Sequence, residues 1–229
     1  MIAVSLRAGR LLGKAQRPFV IVGGGGWTGE ASRRLQAWIE NAGLPAGTSF
    51  RCQDLFDNRS PSYAGDVGIG INPKLAARVR EADLILALGV RLGEMTTGGY
   101  TLLKPPRPAQ KLIHVHAGAE ELGRVYAADL LLQASVGAAA RALEALSPPP
   151  ELPWRAWTDA AAADYAANHE APPVAPLDLA VVMKTIQRLV PEDTVYTNGA
   201  GNYSGWLHRY CRHVGMRHHG KTQLAPTSG

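Results

Sequence analysis

The chain has 229 residues, of which 46% are hydrophobic, and it carries a formal net charge of +5. This length allows one ample hydrophobic core, or one domain with part of a second, and the composition excludes a disordered chain. No apolar run approaches the roughly 20 residues that a membrane helix needs. The segment before Lys14 has the pattern of a first helix and lacks a signal-peptide cleavage site. We therefore expect a cytoplasmic protein that does not associate with membranes.

Residue usage excludes two further classes of protein. Cys52 and Cys211 are too few for a disulfide framework, and neither has the spacing of a zinc ligand. After Asp193 the chain contains basic residues and no acid, but no nucleic-acid recognition motif accompanies them. We therefore expect this basic end to contact an anionic cofactor or a neighbouring domain, and we expect no nucleic-acid partner.

Residues 18–146 alternate short apolar runs with amphipathic helical stretches. The first run, residues 19–22, ends in four glycines, as expected of a strand that is buried on both faces. A helix follows, with Thr28 as its predicted N-cap and Gly43 just after its end. A second strand is predicted over residues 44–49. This first segment therefore has the pattern of a β-α-β unit.

The second half of this region repeats the alternation. A helix over residues 73–82 has Asn72 as its predicted cap and a proline at its first position. Further strands are predicted at residues 84–88, 112–115 and 130–132, followed by an alanine-rich helix. Because short strands alternate with crossover helices, we predict a doubly wound α/β domain with a mainly parallel, six-stranded sheet.

Two proline-rich stretches, residues 148–150 and 172–176, divide the rest of the chain. A helix is predicted between them, and a further helix, a strand at residues 194–197 and a tight loop follow. These last elements begin an α/β unit without the sheet that would bury it. We therefore predict three parts, which are a Rossmann-like domain at residues 1–147, a linker with a helix at residues 148–176, and the truncated start of a second α/β domain at residues 177–229.

A glycine-rich turn lies directly after the first predicted strand. Gly24, Gly26 and Gly29 satisfy the GxGxxG spacing, in which the backbone approaches a dinucleotide diphosphate at the start of a helix. An acidic ribose ligand is expected about 20 residues later, but residues 48–51 contain no acid. The alternative interpretation is a tight turn that binds no ligand.

Two further groups lie on predicted strands or at their ends. Arg91 follows a strand at the edge where open α/β sheets bind ligands, and it either clamps a phosphate or is a solvated loop arginine. His114 and His116 share one face of a strand, but two such side chains alone do not indicate a metal site. The sequence contains no nucleophile elbow, P-loop or paired metal motif.

Several stretches of the chain match, in order, the pattern of one known family. Residues 15–26 resemble its Ala-x-Arg-Pro lead into a strand and a glycine cluster. Residues 63–68 resemble its Tyr/Leu-x-Gly-x-x-Gly stretch, and residues 82–91 its Ala-Asp-Leu-Leu-Leu-x-Leu-Gly-x-Arg run. Residues 121–124 resemble its Glu-Ile-Gly-Lys/Arg segment, and residues 201–206 resemble the strand and loop that meet the cofactor tail. Together these motifs resemble the thiamine-diphosphate enzymes of the acetolactate-synthase type.

The resemblance implies a fold and a chemistry. Enzymes of this family have three α/β domains, carry thiamine diphosphate on Mg²⁺, and join or decarboxylate 2-oxo acids, with the cofactor stabilising the carbanion. This chain would supply the central domain and the start of the C-terminal cofactor-binding domain of such a transferase or lyase. Its activating glutamate and its Gly-Asp-Gly…Asn metal motif would be missing, so the chain alone would be inactive. The resemblance further implies a homo-oligomer, or missing domains that are supplied in trans.

The resemblance also assigns cofactor contacts. Many members of the family bind FAD in the central domain, and their flavin or nucleotide contacts would fall on six glycines and one arginine, namely Gly23, Gly24, Gly25, Gly65, Gly68, Gly89 and Arg91. The tail of thiamine diphosphate would meet three residues, Gly201, Asn202 and Tyr203. The resemblance assigns no catalytic residue and no metal ligand to this chain.

The chain departs from the family pattern at two places. The family's His-Ile-Asp-Ile-Asp strand has its two aspartates replaced here by His116 and Gly118, which argues against FAD. The family's residue just before the phosphate loop is commonly Asp, and here it is Gly199. Two other functions stay open at this point, an NAD- or FAD-dependent oxidoreductase and a non-catalytic nucleotide-binding or scaffolding module.

Overall fold

The computed structural model describes residues 2–170, 176–199, 201–216 and 223–224. Its centre is a six-stranded sheet in which every pairing is parallel. The strands in chain order are β1 (Pro18–Val22), β2 (Ala46–Ser49), β3 (Tyr63–Val67), β4 (Leu84–Leu88), β5 (Lys111–His116) and β6 (Leu130–Gln133). Their order across the sheet is β3-β2-β1-β4-β5-β6. This order confirms the predicted doubly wound α/β fold. The strands are added outward from β1 to β3 on one side of the sheet and from β4 to β6 on the other, so the order reverses between β1 and β4.

Eight helices and a short strand pair accompany this sheet in the described part of the chain. The helices are α1 (Ile2–Leu12), α2 (Gly29–Asn41), α3 (Pro73–Glu81), α4 (Glu94–Thr97), α5 (Val136–Glu144), α6 (Arg155–His169), α7 (Leu179–Leu189) and α8 (Ser204–Tyr210). The strand pair, β7 (Tyr196–Thr197) and β8 (Gln223–Leu224), is parallel and separate from the main sheet. No helix within the described ranges is long and apolar enough to cross a membrane.

The central strand β1 shows why the sheet is buried on both faces. Phe19 and Ile21 belong to the core that includes residues of α3, while Val20 and Val22 belong to the core that includes residues of α2 and α5. Each of the four side chains is at most 1% exposed. Burying one such side chain stabilises a fold by about 1.5–3 kcal/mol, so the two cores hold helices on both sides of the sheet.

The predicted helix boundaries at α2 and α3 are confirmed by their hydrogen bonds. The Thr28 hydroxyl accepts a hydrogen bond from the Ala31 amide at 3.1 Å, and the Asn72 side chain accepts one from the Lys74 amide at 2.8 Å. Such caps satisfy amides that a helix start leaves without a partner. Gly43 follows α2 with a φ of +58°, which favours glycine at the end of a helix.

The residue pattern did not predict every element. Strand β3 was not predicted as a strand, because Gly65 and Asp66 have low strand propensity. The short helices α4 and α8 were also not predicted. The strand predicted at residues 194–197 spans only Tyr196–Thr197.

Helix α6 covers the edge of the sheet next to β3. The Trp154 side chain is fully buried, and its indole N–H donates to the Ala42 carbonyl at 2.9 Å. The Thr158 hydroxyl donates to the Gly43 carbonyl at 2.7 Å. Tyr165 of α6 also contacts Tyr63 of the edge strand β3, with ring centroids 4.8 Å apart. The domain boundaries at residues 147 and 176 stay predictions.

Helix α7 is packed differently from the helices of the main sheet. Within it only Ala180 is buried, while Val181 is 54% and Leu189 is 76% exposed. Leu177, just before the helix, is 66% exposed. These apolar side chains contribute little burial energy in the 229-residue chain, and the contacts of α7 with the rest of the described chain are mainly with α8.

This contrast predicts different opening energies for the two sheets. We expect the amides of β7 to exchange with solvent much faster than those of β1, because a two-stranded pair with a largely exposed helix opens without global unfolding. Hydrogen exchange resolved by mass spectrometry or NMR measures both segments in one sample. Equal protection of Tyr196 and Val20 would contradict the expectation.

Candidate functional site

The glycine-rich turn after β1 and the loop that begins at Gly89 meet where β1 and β4 end side by side. The Gly23 amide donates to the Leu88 carbonyl at 3.1 Å, and the Gly89 amide donates to the Val115 carbonyl at 2.8 Å. Gly24 and Gly89 have φ values of +75° and +70°, which favour glycine. This edge is the topological switch point of the sheet, where doubly wound folds bind ligands.

The space beside the inner glycines of this edge is occupied by other atoms of the protein. A methyl group on Gly24 would collide with the Gly89 carbonyl oxygen, and one on Gly23 would collide with the Ser49 side chain. A methyl group on Gly89 would lie 2.8 Å from the Gly23 carbonyl oxygen and 2.5 Å from a Val136 methyl. The absence of a side chain at these three positions therefore permits the two strand ends to touch each other.

The outer part of the same turn is open. A methyl group on Gly25 or Gly26 would meet no atom within 4 Å. The indole of Trp27 bounds this open part, since its N–H donates to the Gly23 carbonyl at 2.9 Å. A ligand can therefore approach the exposed backbone at Gly25 and Gly26, while Gly24 is half-buried and Gly23 is buried.

Arg91 lies at the same edge, in a loop after β4. Its guanidinium forms an ion pair with Glu121 at 3.1 Å, and Arg124 pairs with the same carboxylate oxygen at 3.1 Å. Partial burial of Glu121 acts to raise its pKa, but the two arginines hold that pKa below its usual value. These three residues border a cavity of about 250 Å³ that also includes His114. Arg91 is therefore already engaged by an acid of its own chain.

The two histidines of β5 have backbone partners. The His114 imidazole donates from Nε2 to the Val90 carbonyl at 2.9 Å, and burial lowers its pKa. His116 Nδ1 accepts from the Gly118 amide at 3.1 Å. Among the residues that the structure describes, no group of three or more His, Cys, Asp or Glu side chains is placed to hold a metal ion.

The structure places Gly65 and Gly68 at a different part of the sheet. They lie in and just after β3, two strands from β1 and so roughly 10 Å away. A methyl group on Gly65 would lie 3.2 Å from Leu75, and one on Gly68 would lie 2.9 Å from Phe50. These two glycines therefore do not join the edge formed by Gly23, Gly24 and Gly89.

The loop predicted to meet the cofactor tail folds back on itself. The ring of Tyr203 occupies the space beside Gly199 and Gly201. The Gly201 carbonyl accepts from the Ser204 hydroxyl at 2.7 Å, and the Asn198 amide nitrogen donates to the Gly199 carbonyl at 2.9 Å. These contacts lie within the loop, and the assignment of Gly201, Asn202 and Tyr203 to the cofactor tail stays a prediction.

A buried acid that the sequence pattern did not single out lies near the end of β3. Asp66 Oδ2 is 3.8 Å from His208 Nδ1 on α8, while Asp66 Oδ1 and His208 Nε2 have no hydrogen-bond partner. Burial raises the pKa of Asp66 to about 8 and lowers the pKa of His208 to about 4, and the charge of Arg51 adds to the second shift. At neutral pH both groups therefore favour their uncharged forms, so their contact is not an ion pair.

Comparison with known proteins identifies the family of this chain. The sequence model of the thiamine pyrophosphate enzyme central domain matches residues 6–143, which contain all six strands of the main sheet. The chain belongs to the thiamine pyrophosphate enzyme family. The acetolactate-synthase-type resemblance drawn from the motifs is thereby confirmed.

Several enzymes are similar in sequence to this member of the thiamine pyrophosphate enzyme family. The chain is 25% identical over 213 residues to an acetolactate synthase of Mycobacterium bovis, an alignment that covers 90% of this chain and 34% of the relative. It is 24% identical over 208 residues to the acetolactate synthase isozyme 2 large subunit of Escherichia coli, covering 91% and 37%. A sulfoacetaldehyde acetyltransferase of Castellaniella defragrans is 34% identical over 119 residues, covering 52% and 20%. The chain thus spans about a third of the length of the acetolactate synthases that it matches.

The buried Asp66 predicts an unusual dependence of stability on pH. Its pKa is about 8 in the folded chain against an ordinary value of 3.8, so the folded state holds an extra proton between about pH 4 and pH 8. Stability from this group therefore falls as the pH rises through that window. We expect Asp66→Asn to gain stability over the parent chain with rising pH, reaching on the order of 3 kcal/mol at pH 8.

Urea unfolding at pH 5 and pH 8 measures this difference. Glu81→Gln, at an exposed residue of α3, serves as the matched control and should show the same small difference at both pH values. A stability difference between Asp66→Asn and the parent chain that stays constant from pH 5 to pH 8 would contradict the burial-driven shift.

Proposed function

We propose that this chain is part of a thiamine-diphosphate- and Mg²⁺-dependent enzyme that acts on 2-oxo acids, as a transferase or a lyase. The chain would supply the central domain and the start of the C-terminal cofactor-binding domain. One observation carries the proposal. The family match ends at residue 143, but the alignment with acetolactate synthases extends over 90% of the chain and therefore continues into the segment that holds α6 to α8.

In this proposal, the described residues have a supporting role. Thiamine diphosphate, when bound to a complete enzyme, supplies the stabilised carbanion for reactions of 2-oxo acids. The loop of Gly201, Asn202 and Tyr203 would lie beside the cofactor tail, but it contributes neither a cation nor a metal ligand. We infer that the remaining contacts and the Mg²⁺ ligands come from elsewhere in the complete enzyme, either on the same polypeptide or on a partner chain of a homo-oligomer.

Binding of a nucleotide or FAD at the central domain is not part of the proposed function. Of the four glycines assigned at this edge, Gly25 is exposed and Gly24 is half-buried, while Gly23 and Gly89 are buried. Arg91 is paired with Glu121, so a diphosphate would have to compete with an acid for it. The family match does not favour the alternatives of an NAD- or FAD-dependent oxidoreductase and of a non-catalytic nucleotide-binding module.

The exposed apolar side chains at α7 support the proposal that part of the cofactor-binding domain lies outside these residues. Leu177, Val181 and Leu189 are 54–76% exposed, as expected of a helix that packs against a sheet which these residues do not supply. We propose that the remainder of the cofactor-binding domain covers this face. We further propose a cytoplasmic location.

These 229 residues should show no catalytic turnover of pyruvate with thiamine diphosphate and Mg²⁺. The described loop lacks the groups that neutralise a diphosphate and activate an aminopyrimidine, and the loss of such groups costs several powers of ten in rate. Release of carbon dioxide and formation of acetolactate are the readouts. The Escherichia coli isozyme 2 large subunit serves as a positive control for acetolactate formation.

The opposite result would be steady product formation above the protein-free rate that persists through a second purification step. It would show that the described residues contain a complete catalytic site. Binding of thiamine diphosphate should in turn be weak and should collapse as salt is added, as for a generic anion on a basic surface.

A further inference from the structure

A cavity of about 350 Å³ lies between the end of β3, the start of α3 and the helices α6 and α8. Apolar side chains line one part of its wall, among them Ile69, Leu75 and Ala161, and polar or charged side chains line the rest. The glycine edge of β1 and β4 contributes no residue to this wall. Cavities of this size that combine apolar walls with a few polar groups are typical of small-molecule sites.

The charged groups at this cavity are positive in sum. Asp164 is shared by two cations, with Arg78 Nε 3.1 Å from Oδ2 and Lys74 Nζ 2.9 Å from Oδ1. Arg209 donates through two nitrogens to a backbone carbonyl of α6, at 3.0 and 2.9 Å, and not to an acid. Three cations therefore accompany one acid, or two acids if the enclosed Asp66 is ionised. This balance favours a negatively charged ligand.

Two hydrogen-bond donors of α8 lie close together at this cavity. Trp206 and Arg209 both contact the ring of Tyr210, with ring centroids 5.7 Å apart for Trp206 and the guanidinium carbon 5.1 Å from the ring centroid for Arg209. The indole N–H of the half-buried Trp206 has no hydrogen-bond partner among the described residues and is not enclosed. Arg209 is exposed and uses only two of its three nitrogens. An indole N–H and a guanidinium can only donate, so together they fit a ligand group that accepts hydrogen bonds.

The start of α3 adds to this positive field. Asn72, which is the N-cap of the helix, and Pro73 in its first turn both line the cavity. The amides at the start of a helix carry a partial positive charge, which stabilises a nearby anion. The side-chain charges and the backbone at this cavity therefore favour the same sign of ligand charge.

We propose that this cavity binds a small organic acid, with its carboxylate at Trp206 and Arg209 and its apolar body against Ile69, Leu75 and Ala161. A carboxylate accepts hydrogen bonds from both donors, and charge-assisted hydrogen bonds are about twice as strong as neutral ones. The apolar part of the wall favours an organic anion over an inorganic one. This site goes beyond the proposed function, because it needs no contact from the loop assigned to the thiamine diphosphate tail.

The test is titration of the ¹⁵N-labelled 229-residue chain with benzoate at pH 7, with indole and backbone amide chemical shifts as the readout. We expect shifts of the Trp206 indole N–H and of the amides in residues 69–75, 161–168 and 205–210. Benzamide, which has the same shape without the charge, should bind about tenfold or more weakly. Arg209→Gln and Trp206→Phe should each weaken benzoate binding, whereas Arg188→Gln, at an exposed arginine of α7 outside the cavity, should leave it unchanged.

Inorganic phosphate and thiamine diphosphate, titrated in parallel, represent charge alone and the cofactor. Binding of either of them at these residues as tightly as benzoate would overturn the proposal. So would equal binding of benzamide and benzoate, shifts located elsewhere, the absence of shifts, or undiminished binding by a folded Arg209→Gln chain. If Arg209→Gln does not fold, the comparison of benzoate with benzamide on the parent chain and the result for Trp206→Phe decide the question.

Discussion

The contact between the ends of β1 and β4 is the constraint on which the candidate edge of this protein depends. Two parallel strands that end side by side bring their following loops together. Here the Gly24 and Gly89 backbones touch, and any side chain at either position would occupy space already filled by the other loop. Arg91 and the exposed Gly25 lie in the two loops that this contact brings together. The glycine pattern is typical of phosphate binding, but here it has a packing role, because it lets the ends of two strands approach each other.

The fold of this chain and the polar contacts at the same edge depend on different groups of residues. The sheet order and the central-domain match place this chain among the thiamine pyrophosphate enzymes. Within that fold, Arg91 pairs with Glu121 and His116 pairs with the Gly118 amide. Each of these contacts pairs a polar group at the edge with a partner in the same chain. The apolar cores therefore stabilise the fold, while the polar groups at its edge form local contacts within the chain.

Much of the fold was predictable because its signals are local. The caps at Thr28 and Asn72, and the apolar run of β1, depend on residues within one turn or one strand. Strand β3 was missed because its glycine and its acid weaken the strand pattern, and its place in the sheet depends on α6, far along the chain. The proximity of Asp66 to His208 was missed for a similar reason, since only the folded chain brings β3 and α8 together. An acid inside an otherwise buried stretch was the one available signal.

The packing role of the glycine contact is tested most directly by the stabilities of two alanine variants. Gly89→Ala should lose about 3 kcal/mol in the free energy of unfolding, because its φ of +70° and its neighbours Val136 and Gly23 oppose a methyl group. Gly25→Ala, in the same edge but with no atom within 4 Å, should change stability by less than about 1 kcal/mol. Urea unfolding of both variants gives the comparison. Equal stabilities of the two variants would contradict the account, because they would show that the strand ends do not depend on this contact.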